Sequence, residues 1–188
     1  MRRLLPLVFA GLVPLACSAR PPANWAQGGS PVDIPRARWD RGGHVVEIMP
    51  EGQVVADGDH LFTLDRAGRV FQPDNEPIAL LQADGRLLGK DDAMLGTIGL
   101  HNSSLPGRAQ AWLTVGERGE VVFYDEEGDR HPAGGWVGCG PAVRTCTLVT
   151  HVIGLSEARS RGHVGVGVGV GTGVGSGVGV GFGVLMHP

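Results

Sequence analysis

The feature that most constrains this chain is a short pattern that recurs along its middle: a glycine, a polar residue and two apolar residues. The pattern occurs at Gly52-Gln53-Val54-Val55, Gly68-Arg69-Val70-Phe71, Gly85-Arg86-Leu87-Leu88 and Gly119-Glu120-Val121-Val122. Each glycine follows a turn-forming stretch, and glycine supplies the positive φ that tight hairpin turns require. The glycines are about 16, 17 and 34 residues apart, so we expect one unit to be either missing or degenerate near Asn102.

Between these turns the sequence predicts ten short strands that alternate weakly between apolar and polar positions, as half-buried antiparallel strands do. They cover residues 44–49, 53–56, 60–64, 69–72, 78–81, 86–88, 95–100, 111–115, 120–124 and 147–153. No stretch carries an apolar stripe of useful length at helical spacing. We therefore predict an all-β domain over residues 43–156, built as an antiparallel, hairpin-rich sandwich, a barrel or a hairpin repeat.

The last part of the chain is a run in which glycine alternates with an apolar residue. Between Val164 and Val184 every odd position is glycine, and nearly every even position is valine. Each interior glycine disfavours a helix by about 0.8–1 kcal/mol relative to alanine. We predict that residues 157–188 form a low-complexity Gly-Val tail outside the folded domain. Extended self-pairing between copies, or membrane insertion within a multi-chain barrel, are the alternatives.

The N-terminus has the composition of an export signal. Met1-Arg2-Arg3 gives it a positive start, and residues 4–16 form an apolar run that is too short to span a bilayer as a helix. Small residues follow at positions 16–19. We assign residues 1–19 to an export signal, and residues 20–42, which are rich in proline and glycine, to a linker.

The residues around position 17 bear on where the exported chain is held. Val13-Pro14-Leu15-Ala16-Cys17 resembles the lipobox of bacterial lipoproteins, in which the cysteine becomes the lipidated first residue of the mature chain. The resemblance implies cleavage before Cys17, lipidation of Cys17, and a membrane as partner through that lipid. In that family Ser18 after the cysteine, rather than aspartate, favours the outer membrane. The alternative is ordinary secretory cleavage after Ala19, which gives a periplasmic or secreted protein.

The chain has three cysteines, an odd number for an exported protein. With Cys17 lipidated, Cys139 and Cys146 remain as a pair, separated by a short segment that contains glycine and proline. In an oxidising compartment we expect this pair to form a disulfide, worth about 2–3 kcal/mol for so short a loop. Free thiols, or a metal-binding or nucleophilic role for the two sulfurs, are the alternatives.

Charge and motifs limit the classes of partner and chemistry. The formal net charge of −3 argues against nucleic-acid binding, which requires a basic surface. The chain contains no HExxH motif, no complete EF-hand loop and no Gly-x-Ser-x-Gly elbow. We therefore assign no catalytic residue, no metal and no cofactor.

Four side chains are weak candidates for a binding surface: His101, Asp125, Asp129 and Trp136. His101 opens a polar segment, residues 101–104, that we expect to form a loop tip. Asp125 and Asp129 lie in an acidic turn of a kind that can supply calcium with oxygen ligands, although aspartate and glycine also favour turns for local reasons. We expect the aromatic side chains, Trp136 among them, to pack in the core. The alternative for Trp136 is an indole that is exposed in the glycine-rich cysteine loop and contacts a partner.

These observations support three hypotheses about function. The first is an exported, envelope-anchored β-protein with a structural role or with an envelope protein as its partner. The second is a secreted or surface enzyme that uses residues 101–104 or the acidic turns. The third is a surface or matrix component that assembles through the Gly-Val tail. The missing catalytic motif favours the first hypothesis, for which the sequence names no specific activity.

Overall fold

Twelve short antiparallel strands close into one barrel in the computed structural model, which describes residues 19–160. The strands are β1 (Ala37–Asp40), β2 (Val45–Ile48), β3 (Gln53–Ala56), β4 (Asp59–Leu64), β5 (Arg69–Phe71), β6 (Pro77–Leu81), β7 (Arg86–Gly89), β8 (Met94–Ile98), β9 (Asn102–Ser104), β10 (Leu113–Val115), β11 (Glu120–Tyr124) and β12 (Arg130–Val137). Each strand pairs with its neighbours in sequence, and β1 pairs with β12 to close the ring. The helix α1 (Val143–Ser160) follows, and 3₁₀ turns lie at Lys90–Asp92 and Gly140–Ala142. The predicted all-β fold is confirmed, and the protein adopts the barrel among the predicted architectures.

The barrel has two rims that differ in their turns. The hairpin rim consists of the loops that join β1 to β2, β3 to β4 and so on up to β11 and β12. The glycine rim consists of the turns that join β2 to β3 and each later even-numbered strand to the next odd-numbered one. Four turns of the glycine rim contain the glycine of the recurring pattern with a positive φ: Gly52 (87°), Gly68 (72°), Gly85 (89°) and Gly119 (91°).

Each of these glycines makes the same two backbone hydrogen bonds. In the first unit the N–H of Gly52 donates to the carbonyl of Met49, and the carbonyl of Gly52 accepts from the N–H of Leu64, both at 2.8 Å. The equivalent partners are Asp65 and Leu81 for Gly68, Gln82 and Ile98 for Gly85, and Gly116 and Trp136 for Gly119. The sequence pattern therefore marks a structural repeat of one hairpin per unit.

Of the two alternatives near Asn102, the structure shows a degenerate unit and not a missing one, with His101 in place of the glycine. The carbonyl of His101 accepts the N–H of Val115 at 2.7 Å, which is the bond that the glycine makes in the other units. The N–H of Gly99 donates to the carbonyl of Asn102, three residues on, whereas the equivalent bond from Met49 spans four residues. Because this turn is one residue shorter, His101 adopts no positive φ and glycine is not required there.

The position two residues after each glycine is buried in the core. Its occupants in the five units are Val54, Val70, Leu87, Ser103 and Val121, each at most 1% exposed. Four of these side chains are apolar and belong to a single hydrophobic cluster with the helix. The fifth is a serine, in the unit where His101 replaces glycine.

The helix α1 runs through the barrel from the glycine rim to the hairpin rim. Near its start, Thr147 Oγ1 donates at 3.0 Å to the carbonyl of Leu100, in the turn between β8 and β9. Near its end, Glu157 pairs with Arg41, in the loop between β1 and β2. Residues 145–151 are at most 1% exposed, and seven successive helical residues face every direction around the axis. A ring of twelve strands is wider than the eight-strand ring that side chains alone can fill, and α1 occupies this space.

Residues 147–153, predicted as a strand, belong to the helix α1, so this prediction is wrong. This stretch is rich in threonine, valine and isoleucine, which favour strands, and it lacks an apolar stripe. A helix that is enclosed on all sides needs no stripe, because every face is buried. The other nine predicted strands overlap β2–β8, β10 and β11, while β1, β9 and β12 were not predicted.

The segment predicted as a linker, residues 20–42, is instead part of the folded domain. It contains β1, in which the indole of Trp39 is fully buried. The part before β1 packs on the outside of the barrel, where the rings of Trp25 and Phe71 meet edge to face with centroids 5.0 Å apart. A segment rich in proline and glycine can serve as a linker or can pack against the domain. Composition alone did not distinguish these two possibilities.

Several predictions about the chain ends concern residues outside the described part. Residues 1–18 of the predicted export signal, with the lipidation site Cys17, and residues 161–188 of the Gly-Val tail lie there, while residues 157–160 belong to α1. Over residues 19–160, no helix combines the length and the apolar character needed to cross a membrane.

Candidate functional site

A buried polar cluster joins α1 to the barrel wall. It consists of Ser103 on β9, Trp112 just before β10, and His151 on α1. Ser103 Oγ lies 2.8 Å from His151 Nδ1, and Trp112 Nε1 donates to both atoms, at 3.0 Å and 2.8 Å respectively. On the other side of the imidazole, Nε2 donates to the carbonyl of Leu95 at 3.0 Å. Both ring nitrogens of His151 therefore have partners on the barrel.

Two small residues make room for this imidazole. Gly96 has a φ of 146°, and a Cβ at this position would lie 2.6 Å from His151 Cε1. Ser103 occupies the register position that valine or leucine holds in the other units, and its short side chain places a hydroxyl where they place methyl groups. The barrel wall is therefore shaped for a histidine at this point of the helix.

Burial holds His151 in its neutral form. The residue has no exposed surface, and burial lowers the pKa of its imidazole to about 4, although the hydrogen bond to Leu95 acts in the opposite direction. Because the N–H on Nε2 faces a carbonyl, Nδ1 is the acceptor for Ser103 and Trp112. Protonation would turn Nδ1 into a donor that faces the indole N–H of Trp112, so this contact and burial both disfavour the charged imidazole.

A serine bonded to a neutral histidine is the pair that acyl-transfer enzymes use as nucleophile and base. In this protein a backbone carbonyl, rather than a carboxylate, orients the imidazole. Ser103 is 1% exposed and His151 is 0% exposed, so a substrate has no path to the hydroxyl in this conformation. The geometry gives the pair a positioning role, in which it fixes the rotation and depth of α1.

Further polar contacts hold the helix along its length. Trp136 Nε1 on β12 donates to Thr150 Oγ1 at 2.9 Å, and Thr145 Oγ1 donates to the carbonyl of Asp33 at 2.6 Å. Within residues 19–160, no buried side-chain nitrogen or oxygen lacks a hydrogen-bond partner. The polar side chains inside the barrel are thus engaged with the protein itself.

Trp136 is 2% exposed and packs in the core, as we expect of the aromatic side chains. Its ring stacks on that of Trp39 with centroids 5.5 Å apart, and its N–H is used by Thr150. The alternative of an exposed indole does not hold, because β12 continues through the glycine-rich segment and turns Trp136 inward. Its backbone still contributes to the wall of a surface cleft.

His101 and the polar segment at residues 101–104 do not form the predicted loop tip. Residues 102–104 are strand β9, and His101 lies in the short turn before it, where its Nδ1 donates to the carbonyl of Val115 at 2.9 Å. The partner that the structure gives to Ser103 is His151, not His101. In this segment Ser103 is the side chain that bonds to α1, and its partner could not be predicted from the segment alone.

Asp125 and Asp129 belong to the turn between β11 and β12. Asp125 Oδ1 accepts the backbone N–H groups of Glu127 and Asp129, and its Oδ2 lies 2.8 Å from His131 Nε2. The hydrogen bonds from His131 and from the backbone lower the pKa of the Asp125 carboxyl. These contacts account for the aspartate as a turn-forming residue. In the described part of the chain, no three metal-ligating side chains lie together.

Cys139 and Cys146, predicted to pair, have their sulfur atoms 1.94 Å apart and their Cα atoms 6.2 Å apart, which corresponds to a disulfide. Cys146 is the fourth residue of α1 and is fully buried, and Cys139 lies in the segment that leads from β12 into the helix. The bond therefore ties the start of the enclosed helix to the end of the last strand.

An open cleft of about 200 Å³ lies on the glycine rim beside this disulfide. Its walls are formed by the turn at residues 116–119 and by the segment from Trp136 to Gly140, with Val143 below. Val137, at its edge, is 74% exposed, and Arg118 also faces solvent. Leu100, the other large exposed apolar residue of the described part, lies on the same rim. This rim is the candidate surface for a partner.

Sequence reasoning missed the contacts that matter most inside the barrel. Ser103 and His151 are 48 residues apart, and His151 lies in the stretch predicted as a strand. The sequence did contain one indication that Ser103 is unusual. When His101 is aligned with the four glycines of the recurring pattern, Ser103 falls at the position where the other units have valine or leucine. No family model, no curated protein and no solved structure matches this chain.

Proposed function

We propose that this protein is exported, anchored in the cell envelope through a lipid on Cys17, and serves there as a structural or partner-binding module. The main support for a binding role on the surface is that the barrel encloses the helix α1. Because α1 fills the barrel and its polar groups are engaged with the wall, the interior is not available to a ligand. A binding role therefore falls to the outer surface.

The proposal of export is supported by the sequence of the N-terminus and by the disulfide. The Cys139–Cys146 bond is nearly inaccessible, with one sulfur in the barrel interior. Structural disulfides of this kind are typical of proteins that fold in an oxidising compartment. An export signal followed by a cysteine supplies the route to that compartment and a means of attachment.

The glycine rim is the surface that we propose for the partner. Exposed valine and leucine side chains on one rim form the sort of apolar contact that associates with another protein, and Glu117 and Arg118 beside Val137 would supply a polar edge. The cleft is smaller than the cavities of about 300–1,000 Å³ that hold drug-sized ligands. A protein surface is therefore a better match than a free metabolite.

The export and anchoring half is tested by the intact mass of the mature protein from its native host, combined with membrane fractionation. We expect an acylated chain that begins at Cys17, and loss of both acylation and membrane association in the Cys17→Ser variant. An unacylated chain that begins at Arg20 would replace anchoring by simple secretion. A chain that retains Met1 in the cytoplasm would overturn the proposal.

The partner-binding half is tested by photo-crosslinking in intact envelopes. A photoreactive residue at Val137 is compared with one at the exposed position Asp74, on the hairpin rim. We expect discrete crosslinked products from position 137, which the purified protein alone does not give. Products of equal yield from both positions, or none from position 137, would contradict a partner on the glycine rim.

A further inference from the structure

The N-terminal segment is docked from the first residues that the structure describes. The N–H of Arg20 donates to Asp91 Oδ1 at 3.0 Å, and the N–H of Asp91 donates back to the carbonyl of Arg20 at 2.9 Å. The N–H of Ala23 donates to Asp92 Oδ1 at 2.6 Å. Asp91 and Asp92 lie in the loop between β7 and β8, which belongs to the hairpin rim. The chain therefore reaches the barrel at this rim.

From there the segment follows the barrel wall to the opposite rim. The N–H of Gly29 donates to the carbonyl of Ala67 at 2.8 Å, and the N–H of Ser30 donates to the carbonyl of Leu81 at 2.6 Å. A Cβ on Gly29 would lie 3.0 Å from a methyl carbon of Leu80, a fully buried residue, so the backbone passes directly over this side chain. Residues 20–30, which we call the strap, are therefore held against the barrel wall by hydrogen bonds along their length.

The strap limits the distance between a lipid on Cys17 and the barrel. If the mature chain begins at Cys17, only two residues separate the anchor from Arg20. Three residue steps span at most about 11 Å, because an extended chain advances by about 3.6 Å per residue. The part of the barrel next to Asp91 must then lie at the lipid surface.

The other end of the described chain leaves the barrel at the same rim. Glu157, in the last turn of α1, pairs with Arg41 in the loop between β1 and β2. The guanidinium of Arg41 also lies 4.3 Å from the ring centroid of Trp39. The described chain therefore ends at the hairpin rim, the rim at which Arg20 is docked.

We propose that the hairpin rim faces the membrane at close range and that the glycine rim, with Val137, faces away from it. This inference rests on the proposed lipid anchor and adds an orientation to it. The hairpin rim is rich in carboxylates, including Asp91, Asp92 and the turn at residues 125–129. An acidic rim has no attraction to anionic lipids. The orientation therefore depends on the anchor and the strap, and it should persist at high salt.

The test uses the acylated full-length protein in vesicles of phosphatidylethanolamine and phosphatidylglycerol that carry a nitroxide on the headgroup. A fluorescent residue is placed at Asp74 on the hairpin rim or at Arg118 on the glycine rim, both exposed. We expect several-fold stronger quenching at position 74 than at position 118, with and without added salt. Equal quenching in acylated, vesicle-bound protein would overturn the orientation and leave the anchor intact.

Two variants separate the effect of the lipid from the effect of the short link between the lipid and the barrel. Inserting a long Gly-Ser linker between Ala19 and Arg20 keeps the lipid but frees the barrel, and it should bring the two quenching values together. The Cys17→Ser protein should not bind these vesicles at all. If the native protein carries no acyl chain, the proposed function and the orientation fail together, and the mass spectrum distinguishes this outcome from equal quenching.

Discussion

Ser103 Oγ and His151 Nδ1 lie 2.8 Å apart inside the barrel, one on strand β9 and the other on the helix that the barrel encloses. Ser103 is the single polar occupant of a register position that is apolar in the four other units. His151 is fully buried and is bonded to the barrel through both of its nitrogens. The pair therefore specifies how the helix sits in the ring, and it makes the stability of the fold depend on the protonation of one imidazole.

The first prediction concerns acid. An ordinary histidine has a pKa of about 6.5, as in the unfolded chain, whereas burial lowers the pKa of His151 to about 4. The folded state therefore favours the neutral form, and this histidine lowers the stability as the pH falls from about 6.5 to about 4, after which the effect levels off. The full effect corresponds to about 3 kcal/mol of unfolding free energy.

Urea unfolding at several pH values checks this prediction. The His151→Gln variant is the control, since an amide keeps a donor and an acceptor but does not titrate. We expect its stability to change less than that of the native protein between pH 6.5 and pH 4. The carboxyls of Asp57, Asp84 and Asp125 have lowered pKa values, so their contribution is lost only at still lower pH. Identical pH slopes for the two proteins would contradict the role given to His151.

The second prediction concerns Ser103. Replacement by alanine removes one hydrogen bond to His151 but leaves the donor of Trp112, and we expect a loss of about 1 kcal/mol. Replacement by valine, the residue of the equivalent positions, adds methyl groups beside the imidazole, and we expect a larger loss of about 1–3 kcal/mol. Chemical denaturation of both variants gives the comparison. A Ser103→Val protein as stable as the native one would mean that this unit prefers the apolar residue of its neighbours.

The strands were predictable because their signal is local. The positive φ at Gly52 and its equivalents is a property of one turn, and the hydrogen bonds that follow repeat at nearly the same spacing. The predicted strands at residues 53–56 and 120–124 have the same bounds as β3 and β11. Local turn chemistry sets hairpin register, and hairpins in sequence order build the barrel.

The helix and its contacts were not predictable in the same way. A strand-favouring run becomes helical at residues 147–153 because the ring encloses it, and enclosure is a property of all twelve strands. The contact of Ser103 with His151 and the burial of Trp136 against Thr150 also depend on the enclosure of the helix by the barrel. The disulfide was the exception, because Cys139 and Cys146 are only seven residues apart in sequence and their pairing could be predicted without the rest of the fold.

The third prediction concerns Gly154 in α1. Alanine normally stabilises a helix interior by about 1 kcal/mol relative to glycine. Here a Cβ would lie 2.7 Å from Trp112 Cη2 and 2.9 Å from Phe123 Cε1, both closer than ordinary van der Waals contact. Crowding of this kind costs about 1–3 kcal/mol, so we expect Gly154→Ala to be less stable than the native protein.

The control for this change is Ala158→Gly, one turn later, where α1 is only partly buried. There the ordinary helix preference applies, and we expect a loss of about 1 kcal/mol. Both substitutions should therefore destabilise the protein, although they change the helix preference in opposite directions. A gain in stability for Gly154→Ala, measured by denaturation, would show that the helix is not confined at this point.

The last prediction concerns the bond between Cys139 and Cys146. In protein that carries Cys17→Ser, so that only these two cysteines are counted, iodoacetamide should add nothing to the native state and nothing to the denatured state without a reductant. After reduction and denaturation, two adducts should appear in the intact mass. Adducts on unreduced, denatured protein would mean that the thiols are free.

Replacement of both cysteines by serine should lower the unfolding free energy by about 2–3 kcal/mol, because the unfolded chain regains the freedom of the short loop. Since this bond connects β12 to the start of an otherwise enclosed helix, we expect the loss to appear in a single unfolding transition of barrel and helix together.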